Sequence, residues 1–150
     1  MEGRVIREGW MDIVGVVYMS RSTQLMRPRD TDRLLMDARS HNAARGVTGV
    51  LLYGGGQFFQ YFEGQPVDVE YVYKRIRRSS LHTGLVELER PQLSQRLFRQ
   101  WFMGFREAPA SVIQGLSQEQ WKREIPSAEE RVFTSPGMHQ LTAFLGPVAD

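Results

Sequence analysis

An α+β sandwich of the ferredoxin-like type is the fold class this sequence predicts, with a five-stranded mixed sheet, two helices on one face and a C-terminal helical extension. Three observations carry that expectation. Strand-like and helix-like patterns follow one another in the order strand, helix, hairpin, helix, strand, strand. The step Gly54-Gly55-Gly56 separates two strand patterns and reads as a hairpin turn. Pro28 with Asp30 and Thr31, and later Gly64 with Pro66, supply two helix starts.

The first strand is expected over Met11–Ser20, where Ile13, Val14, Val16 and Val17 are β-branched. One face of it carries Val14, Val16, Tyr18 and Ser20. The first helix runs to about Ala44, with Leu34, Leu35, Ala38 and Asn42 at one-face spacing and Gly46 as a stop. Val47–Tyr53 and Gln57–Glu63 are the arms of the hairpin. The second helix covers about Val67–Arg78, with Val69, Val72, Tyr73 and Ile76 as its apolar positions. Strands are expected at Gly84–Glu89 and Leu97–Phe105, the latter placing Trp101, Met103 and Phe105 on one face. Ala108–Lys122 and Gly137–Leu145 read as short helices joined by a polar stretch with Pro126, Ser127 and Pro136. This divides the chain into a leader over 1–10, a main domain over 11–106 and an extension over 107–150. The extension is too short for an independent domain and is expected to pack on the main one or on a partner.

Composition narrows the function. Hydrophobic residues make up 41% and charged residues 24%, and the formal net charge is +2 with a sequence pI of about 9.2. That charge is too mild to imply nucleic acid by itself. The lack of cysteine excludes disulfides, thiolate catalysis and Cys-based zinc sites. His41, His82 and His139 have no metal-ligand spacing. The glycine triplet sits between strands without a following Lys-Ser/Thr, so it is a turn and not a phosphate loop. The first ten residues have no apolar signal core, and no run approaches a membrane span, so a soluble cytoplasmic protein is expected.

Three polar residues stand in apolar company. Tyr18 follows Val14 and Val16; Asn42 follows Leu34, Leu35 and Ala38; Gln60 lies between Phe58 and Phe62 on one strand face. Each alone has a bland reading: a core tyrosine bonded to a carbonyl, a helix-end asparagine, a glutamine on a wet face. A buried amide without partners costs roughly 1–3 kcal/mol, so Gln60 is exposed, paired inside the protein, or matched to a polar ligand. If the three converge, a hydroxyl and two amides line one interior. Such a set suits a flat ring carrying donors and acceptors.

The residues from Ile13 to about Phe105 resemble the BLUF domain, a flavin-binding blue-light sensor. The matching segments are Tyr18-Met19-Ser20, His41-Asn42-Ala43 with Val47-Thr48-Gly49-Val50-Leu51, and Gln57-Phe58-Phe59-Gln60-Tyr61-Phe62-Glu63-Gly64. Further on come Arg75-Ile76, His82, Arg96-Leu97-Phe98 and Trp101-Phe102-Met103-Gly104-Phe105. They fall in the family's order. The resemblance implies a non-covalent flavin, usually FAD, with FMN or riboflavin as alternatives, held between the two helices by Tyr18, Asn42, Gln60, Arg75 and His82. It implies that Tyr18 gives an electron and a proton to photoexcited flavin and that the Gln60 amide rearranges. Trp101 and Met103 would carry the signal outward. It implies a photoreceptor and not an enzyme, signalling to a separate partner protein. A homo-oligomer is expected, because exposed apolar sheet surface needs cover.

One departure stands out. Where relatives commonly have Asp and a polar residue before the matching His, this chain has Ser79-Ser80-Leu81. Two alternatives follow: a BLUF-like domain with weakened flavin binding, or a ferredoxin-like nucleic-acid module using Arg75, Arg77 and Arg78.

Overall fold

The structure is a computed structural model that describes residues 13–122 and 135–146. The leader over 1–10, the first two residues of the Met11–Ser20 strand, and Pro126 and Ser127 of the polar stretch lie outside the described residues.

β1 (Ile13–Ser22) is followed by α1 (Pro28–Arg45), the hairpin β2 (Thr48–Gly54) and β3 (Gln57–Gly64), α2 (Pro66–Arg78) and β4 (His82–Glu89). Local chemistry sets these boundaries. Pro28 occupies the first turn of α1, and the Asp30 carboxylate accepts the Arg27 backbone N–H at 3.0 Å. Gly46, at φ 68°, ends α1 in the left-handed conformation that glycine adopts without strain. α2 carries Asp68 in its first turn and Arg75, Arg77 and Arg78 in its last, each on the dipole's favourable side.

The strands lie in the order β4-β1-β3-β2, all antiparallel, which is the ferredoxin-like arrangement. β6 (Gly104–Glu107) adds to β2 in parallel, and the two-residue β5 (Gln92–Leu93) pairs with the start of β1. The sheet therefore has four of the expected strands, a fifth at Gly104–Glu107 where Leu97–Phe105 was expected, and one short addition.

Two cores flank the sheet. Period-two alternation sends Val16, Tyr18, Leu51, Phe58 and Phe62 to one face, where Leu35 of α1 and Val69, Val72 and Tyr73 of α2 cover them. Val17, Val50, Leu52, Phe59 and Tyr61 point the other way. There they meet α3 (Ala110–Ser117) and α4 (Pro136–Leu145) through Ile113, Leu116, Met138, Leu141 and Leu145. The C-terminal helices thus pack on the main sheet. The apolar sheet surface that motivated a homo-oligomer is covered by this chain itself. α3 is shorter than the expected Ala108–Lys122: the Trp121 indole folds back and donates to the Leu116 carbonyl at 2.7 Å, satisfying a helix-end acceptor.

The expected strand over Leu97–Phe105 does not form as such. Only Gly104–Glu107 enters the sheet. The preceding backbone is engaged elsewhere: the Glu63 carboxylate accepts the N–H groups of Leu97 and Phe98 at 2.7 and 2.6 Å, and the Trp101 carbonyl accepts the Gly49 N–H at 2.8 Å. Without regular strand geometry the alternation fails. Trp101 packs against the C-terminal core, stacked on Phe98 with centroids 6.0 Å apart, whereas Met103 is buried in the opposite core. Trp101 and Met103 do not share a face.

The hairpin is where the extension docks. A Cβ on Gly54 would lie 1.6 Å from the Ala108 carbonyl oxygen, a backbone atom that cannot turn aside. Gly54→Ala is expected to destabilise the protein by about 2 kcal/mol or more, in the range of overpacked sites. Urea unfolding checks this; an unchanged midpoint would show that the 108–110 backbone yields.

Candidate functional site

Between α1, α2 and the covered sheet face lies a cleft of about 720 Å³. Its walls are apolar through Leu34, Leu51, Val72 and Ile76, and polar at Tyr18, Asn42, Gln60 and His82. Size and lining match sites that hold small cofactors.

The sheet register explains why the first two polar groups meet. Tyr18 and Gln60 are directly opposed on β1 and β3, and both point toward the helices. The Tyr18 hydroxyl donates to Gln60 Oε1. Gln60 Nε2 in turn donates to Met103 Sδ at 3.2 Å. Tyr18, Gln60 and Met103 are all buried. Burial, with the nearby Tyr73 adding to it, pushes the Tyr18 phenol far above its ordinary value, so it stays protonated as a donor.

Asn42 is buried in the last turn of α1 and bonds away from its own helix: Nδ2 donates to the Phe102 carbonyl at 2.7 Å. That fixes the amide orientation and leaves its carbonyl oxygen as the end available to a ligand N–H. His82 sits at the start of β4. Its Nε2 lies 2.6 Å from the Ile76 carbonyl, which can only accept, so Nε2 carries the proton. Nδ1 then accepts the Ser20 hydroxyl at 2.7 Å in the neutral ring. Arg75 lines the cleft and bonds Asp37 across from α1 at 3.3 Å.

Tyr73 backs this group. Its ring stacks beside Tyr18 with centroids 6.2 Å apart, and its hydroxyl donates to Glu87 Oε1 at 3.0 Å. Burial first, and the Glu87 carboxylate second, raise its phenol to about 12.

Of the residues singled out from sequence, Tyr18, Asn42, Gln60, Arg75, His82 and Met103 line the one cleft. Trp101 does not; it lines a neighbouring groove on the outer side of the Phe102–Gly104 segment. Ser79 and Leu81 do line the cleft, and the Ser79 hydroxyl accepts the Leu81 N–H at 3.2 Å, closing the turn before His82. Sequence reasoning passed over Arg39, whose Nε donates to the Met103 carbonyl at 2.9 Å. Its one sequence signal is the three-residue spacing from Asn42 on the same helix. It also gave no role to Glu63, which is fully buried and accepts from the Tyr61 hydroxyl at 2.7 Å as well as from the two backbone N–H groups.

Fold and cleft together define a ferredoxin-like domain that gathers a phenol and two oriented amides in one cleft. The family described as BLUF, sensors of blue-light using FAD, matches residues 13–104. The chain belongs to the BLUF family of blue-light flavin sensors. It is 30% identical over 83 residues to the photoactivated adenylate cyclase subunit beta of Euglena longa, covering 55% of this chain and 10% of that protein. Among solved structures, BlrB, a BLUF protein in its dark state, superposes with a TM-score of 0.60 at 28% identity, over 65% of this chain and 75% of that one. BlsA in its photo-activated state gives 0.62 at 25% identity, over 68% and 74%.

The residues present fit a flavin. The cleft is large enough, the Asn42 acceptor is preset, and Gln60 and Tyr18 form a connected donor–acceptor pair at its floor. Among the described residues no group of metal-ligating side chains occurs, and no helix is long and apolar enough to cross a membrane.

Proposed function

We propose that this protein is a blue-light switch in which Tyr18, Gln60 and Met103 form the moving hydrogen-bond chain and Asn42, Arg75 and His82 hold the flavin. The observation that carries the reading is the unbroken chain Tyr18–Gln60–Met103 along the floor of the cleft. Bound flavin supplies the absorption of blue light and the excited-state oxidant. Tyr18 is placed to give up an electron and, through its bond to Gln60, a proton. The Gln60 amide carries a donor and an acceptor on one rotatable group, so reorienting or tautomerising it exchanges the two ends. Tyr18 can satisfy either end, because a phenol both donates and accepts. Met103 cannot: a thioether sulfur is only a weak acceptor. The sulfur therefore favours the arrangement described above, which is the resting one, and the lit arrangement is the minor state that light populates.

The signal leaves through the segment that holds Met103. That segment continues into β6 and α3, and Trp101 rides on its outer side, where we assign it to relay and not to flavin contact. The unit over 11–106 senses, and 107–150 is its extension. Output passes to a separate downstream protein, and a homo-oligomer is one form the signalling complex can take. We retain FAD as the flavin, ahead of FMN or riboflavin, and the cytoplasmic location expected from the sequence.

The nucleic-acid alternative draws little support. Arg75 and Arg77 are paired with Asp37 and Glu70, and the sheet face on which such folds stack bases is covered by α3 and α4. Flavin content per chain separates the weakened-binding alternative from this reading. One pair of visible spectra tests the whole reading: purified protein is expected to be yellow, with near one flavin per chain and a red shift under blue light that decays in the dark. Colourless protein that binds RNA with steep salt dependence would overturn it.

A further inference from the structure

Three successive carbonyls of the switch segment are each held by a donor from elsewhere in the fold. Gly49 N–H takes Trp101, Asn42 Nδ2 takes Phe102, and Arg39 Nε takes Met103, at 2.8, 2.7 and 2.9 Å. The first donor is β2 backbone and the second lines the cleft. Arg39 is different. It does not line the cleft; it lies in the groove of Trp101 and Phe102 on the outer side. Its bond nevertheless ends on the residue whose sulfur accepts from Gln60.

From this placement we infer that Arg39 is a positioning residue of the light switch: it holds the Met103 backbone so that the sulfur meets the Gln60 amide in the resting arrangement. The inference rests on the functional reading given above. The geometry favours Arg39 over a merely structural role for three reasons. Its guanidinium spans from an exposed helix face to a single main-chain acceptor. That acceptor belongs to the last residue before β6, where the segment becomes regular. The next residue, Gly104, packs so closely on Trp101 that a Cβ would lie 2.4 Å from the ring, so a shift at Met103 is passed on to Trp101. Arg39 thus fixes one end of a short lever whose other contacts face the flavin on one side and the C-terminal core on the other.

Releasing the Met103 carbonyl raises the free energy of the resting arrangement relative to the lit one. The return to the dark state should slow. The loss of one such bond corresponds to about a three- to tenfold change in rate. The test uses flavin-loaded protein with Arg39→Ala and Arg39→Lys. Arg39→Ala is expected to keep its flavin content within twofold and to recover in the dark at least threefold more slowly. Arg39→Lys, which keeps a cationic donor, is expected to recover within twofold of the unmodified protein. A second readout needs no flavin. Met103-Gly104 is the only Met-Gly step in the chain, so ¹³C-Met, ¹⁵N-Gly labelling gives that peptide bond a unique NMR signal. The signal should move in Arg39→Ala and return in Arg39→Lys. Normal recovery in Arg39→Ala with full flavin overturns the inference. So does parallel loss of flavin, which would place Arg39 in cofactor binding instead. A missing red shift in the unmodified protein overturns the functional reading, and takes the kinetic role of Arg39 with it.

Discussion

Replacing Gln60 with leucine is expected to leave a folded, yellow protein whose absorption no longer moves to the red in blue light. Leucine is close in volume and suits the neighbours Phe58 and Phe62, so the cleft keeps its shape. What disappears is the group with two ends. The Tyr18 hydroxyl loses its acceptor and Met103 loses its donor. Nothing then connects light-driven chemistry at Tyr18 to a new bond at the flavin. The shift should fall to nothing, while flavin content falls by less than about tenfold, one missing bond among several. The stranded buried phenol should lower folding stability by roughly 1–3 kcal/mol. Light-minus-dark spectra of the variant check this. A normal shift in Gln60→Leu would sink the switching mechanism, though not flavin binding.

Glu63→Ala is expected to have the largest effect on stability. This carboxylate is fully buried and serves three donors: the N–H groups of Leu97 and Phe98 and the Tyr61 hydroxyl. Removing it strands all three at once, at about 3 kcal/mol or more, a large fraction of a typical domain's stability. The released loop leads directly to Met103, so the variant should also lose switching amplitude. Chemical denaturation reads the first effect and light-minus-dark spectra the second. A pH series adds a signature. Burial raises the Glu63 carboxyl, and the bonds from Phe98, Tyr61 and Leu97 only partly offset that. The folded protein then binds this proton more tightly than the unfolded chain. The group's contribution is therefore full below the unfolded value, near pH 4 to about 4.5, and is lost as pH rises through the folded value. The stability gap between the unmodified protein and Glu63→Ala should narrow as pH rises from about 4 to about 7. A gap that widens would mean the three donors outweigh burial.

Much of the fold was legible because its signals are local. Alternation along β1 and β3 put Tyr18 and Gln60 on the helix face, and helical spacing put Asn42 beside them. The segment from Leu97 to Met103 was not legible. Its residues look strand-like, yet its conformation is set by Glu63, Gly49, Asn42 and Arg39, all more than thirty positions away in sequence. No window of neighbouring residues reports such bonds. Trp101 was misplaced for the same reason. The cover over the second sheet face did leave a trace. Phe58, Phe59, Tyr61 and Phe62 put aromatics on both sides of β3, and a strand apolar on both sides needs a layer on each. Only the identity of that layer, the chain's own tail, required the structure.

That two-sidedness has a practical meaning for anyone who wants to re-wire the sensor. Positions 58 and 60 line the cleft between the helices, and positions 59 and 61 meet the C-terminal helices beyond the sheet. The two sets alternate on one strand yet share no face. A designer can therefore recast Phe59 and the helix residues that meet it to accept a new output module, leaving Tyr61 to hold Glu63, while the optical properties stay with the residues that line the cleft.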